Sequence, residues 1–266
     1  MSRNYFCQST LLFAATFFLS TTLSAKEYTL AIHPVLPAKE TRGIYQPLAD
    51  YLSQKTGHQI TLVTNSNFLT HWQTIKRGAY DLVLDGPQFT GYRLEKLDYT
   101  VLAKFPSVVS YTLVANEDEM IMDPAELIGK KVATTPSPAL GALRLDQLYP
   151  NPLRQPIIVE TNDSEAAAQA VIQGKSHAAM IPAAMVGNYP QLLTVANTEQ
   201  IPAPALSASP GVEESVQAAI REALLKAGEN EEGKAVLEQI RIERFVASDG
   251  SEYRPHAALL QNMWAY

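Results

Sequence analysis

A small set of polar side chains stands where short apolar runs stop. His33 follows the run 28–32, Asp85 closes 82–84, Ser137 comes just after Thr134-Thr135, and Asn162-Asp163 follows 157–159. In an open α/β sheet a ligand sits at the carboxyl ends of the strands, beside the first turns of the following helices. That rule nominates His33, the 65–68 turn, the 85–89 segment, Ser137 and Asn162-Asp163 as ligand contacts. Free N–H groups at helix starts favour a carboxylate, sulfonate or phosphate oxygen. Asp85 and Asp163, if both face the site, would instead suit a zwitterionic or cationic solute. Phe68, Phe89 and Tyr111 can wall such a pocket or cradle an ammonium, and His33 can donate a hydrogen bond.

Each candidate also has a purely structural role open to it. Ser137 would cap a helix that opens with Pro138, and Asn162 with Glu165 fits a capping pair. Asp85 would cap the helix after Gly86-Pro87, and the aromatic rings would be core. His58, His71 and His256 read as surface residues, and His177 is given no role. No Gly-x-Ser-x-Gly turn, His-Glu-x-x-His pair or complete Gly-x4-Gly-Lys-Ser/Thr phosphate loop occurs. The five histidines are scattered without metal-ligand spacing. No catalytic residue, metal or cofactor is therefore expected, and a binder is favoured over an enzyme.

The elements that must position these residues alternate between short apolar strands and amphipathic helices. Strands are expected at 28–32, 60–63 and 81–84, with helices between them stopped by Gly57 and Gly78. Asn65, Ser66 and Asn67 can cap the second of these helices. The same rhythm returns further on. A long strand is expected at 108–114, a short helix at 124–127, strands at 132–135, 157–159 and 177–181, and an alanine-rich helix ending at Gly174. The proline-, alanine- and serine-rich stretch 201–210 reads as a crossing or linker. Two helices rich in Glu, Ala and Leu follow, and residues 253–266 end the chain. Alternating strands and helices imply largely parallel sheets.

Residues 1–25 read as an export leader. Arg3 supplies the positive start, 11–19 the apolar run, and cleavage falls near Ser24 or Ala25. Cys7, the chain's single cysteine, leaves with the leader, so disulfides and a cysteine nucleophile are excluded from the mature chain. The formal charge of −6 becomes −7 without Arg3, which argues against nucleic acid or an anionic membrane as partner. Nothing after Ala25 is apolar for long enough to span a bilayer. About 240 residues in two α/β units suit two lobes: 26–108 with 198–266, and 109–197. The final helices would pack back on the first lobe. The chain would then cross twice, near 105–111 and 195–207, and two crossings make a hinge.

These segments resemble the phosphate/phosphonate-type periplasmic substrate-binding proteins of ABC importers. Residues 46–52 followed by Thr56-Gly57 look like that family's first helix and its exit. Gly78 with 81–87 is similar to its strand and ligand-side turn, and 123–132 to the opening of its second lobe. Residues 232–237, Phe245-Val246 and Tyr253 resemble its terminal segment. The resemblance implies a type II periplasmic binding fold, with two α/β lobes, a ligand cleft between them and a two-crossing hinge. It also implies a monomer that captures a small molecule by hinge closure and docks on an inner-membrane ABC permease. Many members hold an oxyanion with a Ser-Thr-Ser-Gly-like run where this chain has Ser137-Pro138-Ala139-Leu140-Gly141. A periplasmic sensor feeding a membrane kinase would use the same fold and cleft, and stays open as the alternative.

Overall fold

The computed structural model describes residues 25–263, with side chains through residue 261. Of the expected export leader, everything before Ala25 lies outside the described residues. The chain opens with β1 (Glu27–Ile32), α1 (Ala38–Thr56), β2 (Gln59–Thr64), α2 (Phe68–Lys76), β3 (Leu82–Asp85), α3 (Pro87–Lys96) and β4 (Thr100–Lys104). Alternation sets the two faces of the first sheet, because successive strand side chains point to opposite sides. Leu30, Ile32, Leu82 and Leu84 pack under α1, while Ala31 and Val83 join the aromatic cluster of Phe68, Trp72 and Phe89. Gly57 ends α1 in the left-handed region at φ 71°, where an L side chain would be strained.

The chain then crosses through β5 (Val108–Val109) into β6 (Tyr111–Asn116), and builds β7 (Lys131–Thr134), α4 (Leu140–Leu148), β8 (Ile157–Glu160), α5 (Ser164–Ile172), β9 (Ala178–Pro182) and β10 (Leu192–Asn197). The long strand expected at 108–114 is thus two pieces, broken at Ser110. The return runs through β11 (Ile201–Pro202), which pairs with β5 through Ile201–Val109 and Pro202–Val108. β12 (Ala205–Ala208), α6 (Glu214–Leu225) and α7 (Glu231–Gln239) follow, then a 3-10 segment, Ser251–Met263. Val216, Ile220, Leu224, Val236 and Leu237 of α6 and α7 lie in the same core as β1 and α1, so the last helices do pack on the first lobe.

Besides the two-stranded β11-β5 sheet, the described residues form two five-stranded sheets, ordered β2-β1-β3-β12-β4 and β10-β6-β9-β7-β8. Each of these two is mixed rather than largely parallel. β12 runs antiparallel to both β3 and β4, and β6 is antiparallel to β9 and β10. The stretch read as a linker therefore supplies a fully buried interior strand of the first sheet. Among the described residues no helix is long and apolar enough to cross a membrane.

The C-terminal segment clamps α3. Tyr253 Oη donates to Ala203 O at 2.7 Å, and Arg254 donates to Leu94 O at 3.0 Å. Gly91 permits the close approach: a Cβ there would strike Tyr253 O and lie 2.8 Å from Ala257 N. Both obstacles are backbone and cannot swing aside. Gly91→Ala is expected to cost about 2 kcal/mol through overpacking, read as a fall of about 6 °C in the thermal midpoint by circular dichroism.

Candidate functional site

The two lobes enclose a cavity of about 160 Å³ on which four helix starts converge. α2 contributes Phe68 and α3 contributes Gly86, Pro87 and Gln88, all from the first lobe. α4 brings Ala139 and Leu140, and α5 brings Asn162 and Ser164, from the second. The first N–H groups of any helix lack an intrahelical acceptor. α2 and α5 meet part of that need with side chains: Asn67 accepts from Thr70 N, and Asp163 accepts from Ala166 N. Gly86 and Ala139, the caps of α3 and α4, offer no side chain for the purpose. Their free donors and the helix dipoles make this end of the cavity electropositive without a cationic side chain.

Neutral polar groups complete the lining. His33 and Thr135 follow β1 and β7, and Tyr111 opens β6. Burial lowers the His33 pKa from 6.5 to about 4; Asp85 opposes this and His71 and Arg93 add to it, so the ring is neutral at pH 7. Burial pushes the Tyr111 hydroxyl up to about 12, so it stays a neutral donor. Gly141 makes room beneath it, since a Cβ there would lie 3.2 Å from the Tyr111 ring and 3.0 Å from Thr134 Oγ1. Val109 and Pro204 from the crossings, with Pro182 beside Tyr111, give the hinge side an apolar wall.

The lobes touch directly around the cavity. Gln88, 1% exposed, donates its Nε2 hydrogen to Pro138 O at 3.3 Å across the cleft. Ala139 and Leu143 of the second lobe belong to the same buried cluster as Phe68, Trp72 and Phe89 of the first. These contacts exist only with the lobes together, so they favour the shut form.

Of the residues nominated from sequence, His33, Phe68, Tyr111 and Asn162 line this cavity, and Asp163 lies with Asn162 in an adjoining groove at its mouth. Asp163, rather than Asn162, caps α5. Asp85 is turned the other way, fully buried beneath the floor. Arg93 grips its two oxygens at 2.6 and 2.7 Å, while His71 and Thr90 each approach at 3.1 Å. Its carboxylate leaves nothing for a ligand amine. Phe89 is fully buried core. Ser137 is not among the residues lining the cavity; α4 starts later than expected, with Ala139 as its cap. His58 and His71 are buried rather than on the surface, at 7% and 0% exposure.

Thr135 and Ser164 were missed, although each directly adjoins a residue or strand end that the strand-end rule selects. Gln88 lay inside the 85–89 segment, but its bridge to Pro138 depends on the meeting of two lobes and has no local signal.

The histidine gives a pH test. The folded pKa lies below the unfolded one, so between about 6.5 and 4 the unfolded chain binds the proton that the folded chain refuses. This contribution is complete above about pH 6.5 and is lost as pH falls towards 4. Its size is up to about 3 kcal/mol. Urea unfolding from pH 7 to 4 should show a shallower loss in His33→Asn than in the native chain.

Residues 30–253 match a family described as ABC transporter, phosphonate, periplasmic substrate-binding protein. The chain belongs to this family. It is a solute-binding protein with the two-lobed type II fold rather than an enzyme, and its family is periplasmic. Membership implies a cognate membrane permease. Among the described residues no cluster of His, Cys, Asp or Glu is placed to hold a metal.

Solved structures agree on the fold at low identity. PhnD1 from Prochlorococcus marinus in complex with methylphosphonate is 12% identical, with a TM-score of 0.76 over 89% of this chain and 98% of that one. A binding protein component of an ABC phosphonate transporter from Pseudomonas aeruginosa is 17% identical, with a TM-score of 0.70 over 88% and 85%. A Xanthomonas citri protein bound to ATP is 13% identical, with a TM-score of 0.74 over 89% and 97%. No curated protein sequence matches the chain.

Proposed function

We propose that this solute-binding protein captures a small phosphonate- or phosphate-like oxyanion by lobe closure, and delivers it as a monomer to an inner-membrane ABC permease. The observation that carries the reading is the convergence of four helix starts on one enclosed cavity, two of them without side-chain caps. Backbone N–H groups of α3 and α4 bind the oxygens. Tyr111, Asn162 and the neutral His33 add hydrogen bonds, Phe68 forms a wall, and Asp163 stays at the mouth as a helix cap. Asp85, Phe89 and Ser137 make no direct contact. Residues 26–108 with 198–266 move as one body against 109–197, turning about the β5–β11 pair.

Size narrows the choice. An engineered protein cavity of about 150 Å³ holds benzene, so the space here suits a ligand of about five to eight heavy atoms. Methylphosphonate, bound by the Prochlorococcus protein, is of that size. ATP, bound by the Xanthomonas protein, is far larger than this 160 Å³ cavity and would have to extend into the adjoining groove. Titration calorimetry with methylphosphonate and inorganic phosphate at pH 7 tests the reading. One-to-one binding of at least one of them is expected, with a matching rise in thermal midpoint through mass action. Heat from neither anion, at millimolar concentration, contradicts it.

A further inference from the structure

The part of the ligand that is not the oxyanion must also fit the cavity, and here the lining is informative. Among the described residues, none that lines it is Asp, Glu, Lys or Arg. The nearby carboxylates stand outside the cavity lining, the exposed Glu160 of the adjoining groove among them. Asp85 is held by Arg93, and Asp163 caps α5 from the outer groove. The hinge-side wall of Val109, Pro182 and Pro204 is apolar. Gln88 Oε1 has no hydrogen-bond partner, but it is sealed within the protein against Gly86, where a Cβ would come within 2.7 Å. An amide oxygen is in any case a neutral acceptor and supplies no charge to an ammonium.

Resting on the oxyanion reading, we propose that this cleft is specific for oxyanions with a short, uncharged, apolar tail, namely alkylphosphonates of about one to three carbons, and that it rejects aminoalkylphosphonates. The reason is desolvation. An ammonium enclosed here loses its water and gains no carboxylate, and an unpaired buried charge carries a penalty of several kcal/mol. Tyr111 and Phe68 can face a cation, but such contacts return only about 2 kcal/mol even when desolvated. The hydroxyls of Thr135 and Ser164 and the Asn162 amide accept hydrogen bonds without supplying charge. An alkyl tail meets no such penalty and replaces water against the apolar wall.

A matched pair of ligands isolates the effect. Propylphosphonate and 2-aminoethylphosphonate have the same number of heavy atoms and differ by a methyl group against an ammonium. Calorimetry at pH 7 is expected to show propylphosphonate binding at least 100-fold more tightly. Equal affinities, or tighter binding of the amine, overturn the proposal while leaving the oxyanion reading intact. Binding of neither, with methylphosphonate and phosphate also inert, overturns the oxyanion reading and this proposal with it. Val109→Asp, checked for a native thermal transition, places a carboxylate in the hinge-side wall and should shift the ratio at least tenfold towards the amine. An unchanged ratio in the folded variant contradicts the placement of the tail; if the variant does not fold, the native-chain comparison alone decides.

Discussion

Replacing Arg93 with methionine should lower the unfolding free energy by about 3–5 kcal/mol, the usual penalty for removing one partner of a buried ion pair. Arg93 and Asp85 are both fully buried beneath the cleft, and the guanidinium meets the carboxylate in a two-pronged contact at 2.6 and 2.7 Å. Arg93 also donates to Ser207 Oγ from Nε at 3.2 Å, which ties α3 to the interior strand β12. The variant strands a carboxylate with only His71 and Thr90 beside it. For a chain of this length the thermal midpoint should fall by about 10 °C or more. Asp85→Leu combined with Arg93→Met removes both charges, and should recover a measurable part of that loss.

The same pair gives a pH signature. Despite an opposing desolvation effect, which is the largest single influence, Arg93 and the His71 hydrogen bond hold the Asp85 pKa well below the ordinary carboxylate value of 3.8. A depressed folded pKa means that the stabilisation is present above about pH 4 and is lost as pH falls further. In Arg93→Met the loss should begin at a higher pH. Denaturant titrations between pH 5 and 2 would read the difference, and superimposable curves would show that the pair contributes little.

Thr135→Asp should abolish oxyanion capture while sparing the fold. Thr135 lines the cavity just before α4, and its Oγ1 lies within ordinary contact of a Cβ built at Gly141 in that helix's first turn. A carboxylate there meets the positive end of an uncapped helix, which stabilises the native state by a few tenths of a kcal/mol or more. For the ligand it is a like charge. At about 5 Å and an effective dielectric near 20, the repulsion is about 3 kcal/mol, roughly 200-fold in affinity. The expected result is an unchanged or raised thermal midpoint with methylphosphonate binding lost. Retained binding would mean that the anion does not approach α4.

Periodicity carried most of the fold into the sequence. Apolar alternation in β1 and β3, the 3.6-residue spacing of α1 and the stops at Gly57 and Gly78 are local signals, and the elements form near where those signals place them. β12 is the instructive miss. Ala-Leu-Ser-Ala has little strand preference of its own, yet this segment runs between β3 and β4, and Ser207 serves Arg93. Its strand state comes from neighbours more than 100 residues away in sequence.

The site divides in the same way. His33 and Asn162 stand just past strand ends and are nominated from that position. Tyr111 falls inside the strand expected at 108–114 and is nominated only as an aromatic wall, because the break at Ser110 has no local signal. Asp85 also stands at a strand end, but which way its carboxylate turns depends on Arg93, eight residues on, and on His71. Burial of both histidines, His58 and His71, was equally invisible without the packing around them. The closure contacts, Gln88 to Pro138 and Leu143 against the aromatic cluster, join segments about 50 or more residues apart.

Ligand capture here means an anion held by backbone donors at helix starts drawn from both lobes. An amide proton–nitrogen spectrum of the labelled protein, titrated with methylphosphonate, measures this most directly. Saturable downfield proton shifts should concentrate at the first-turn amides of α3 and α4, at Gln88, Leu140 and Gly141, with matching midpoints in the two lobes. Shifts confined to one lobe, or centred on surface lysines and arginines with these amides unmoved, would contradict it.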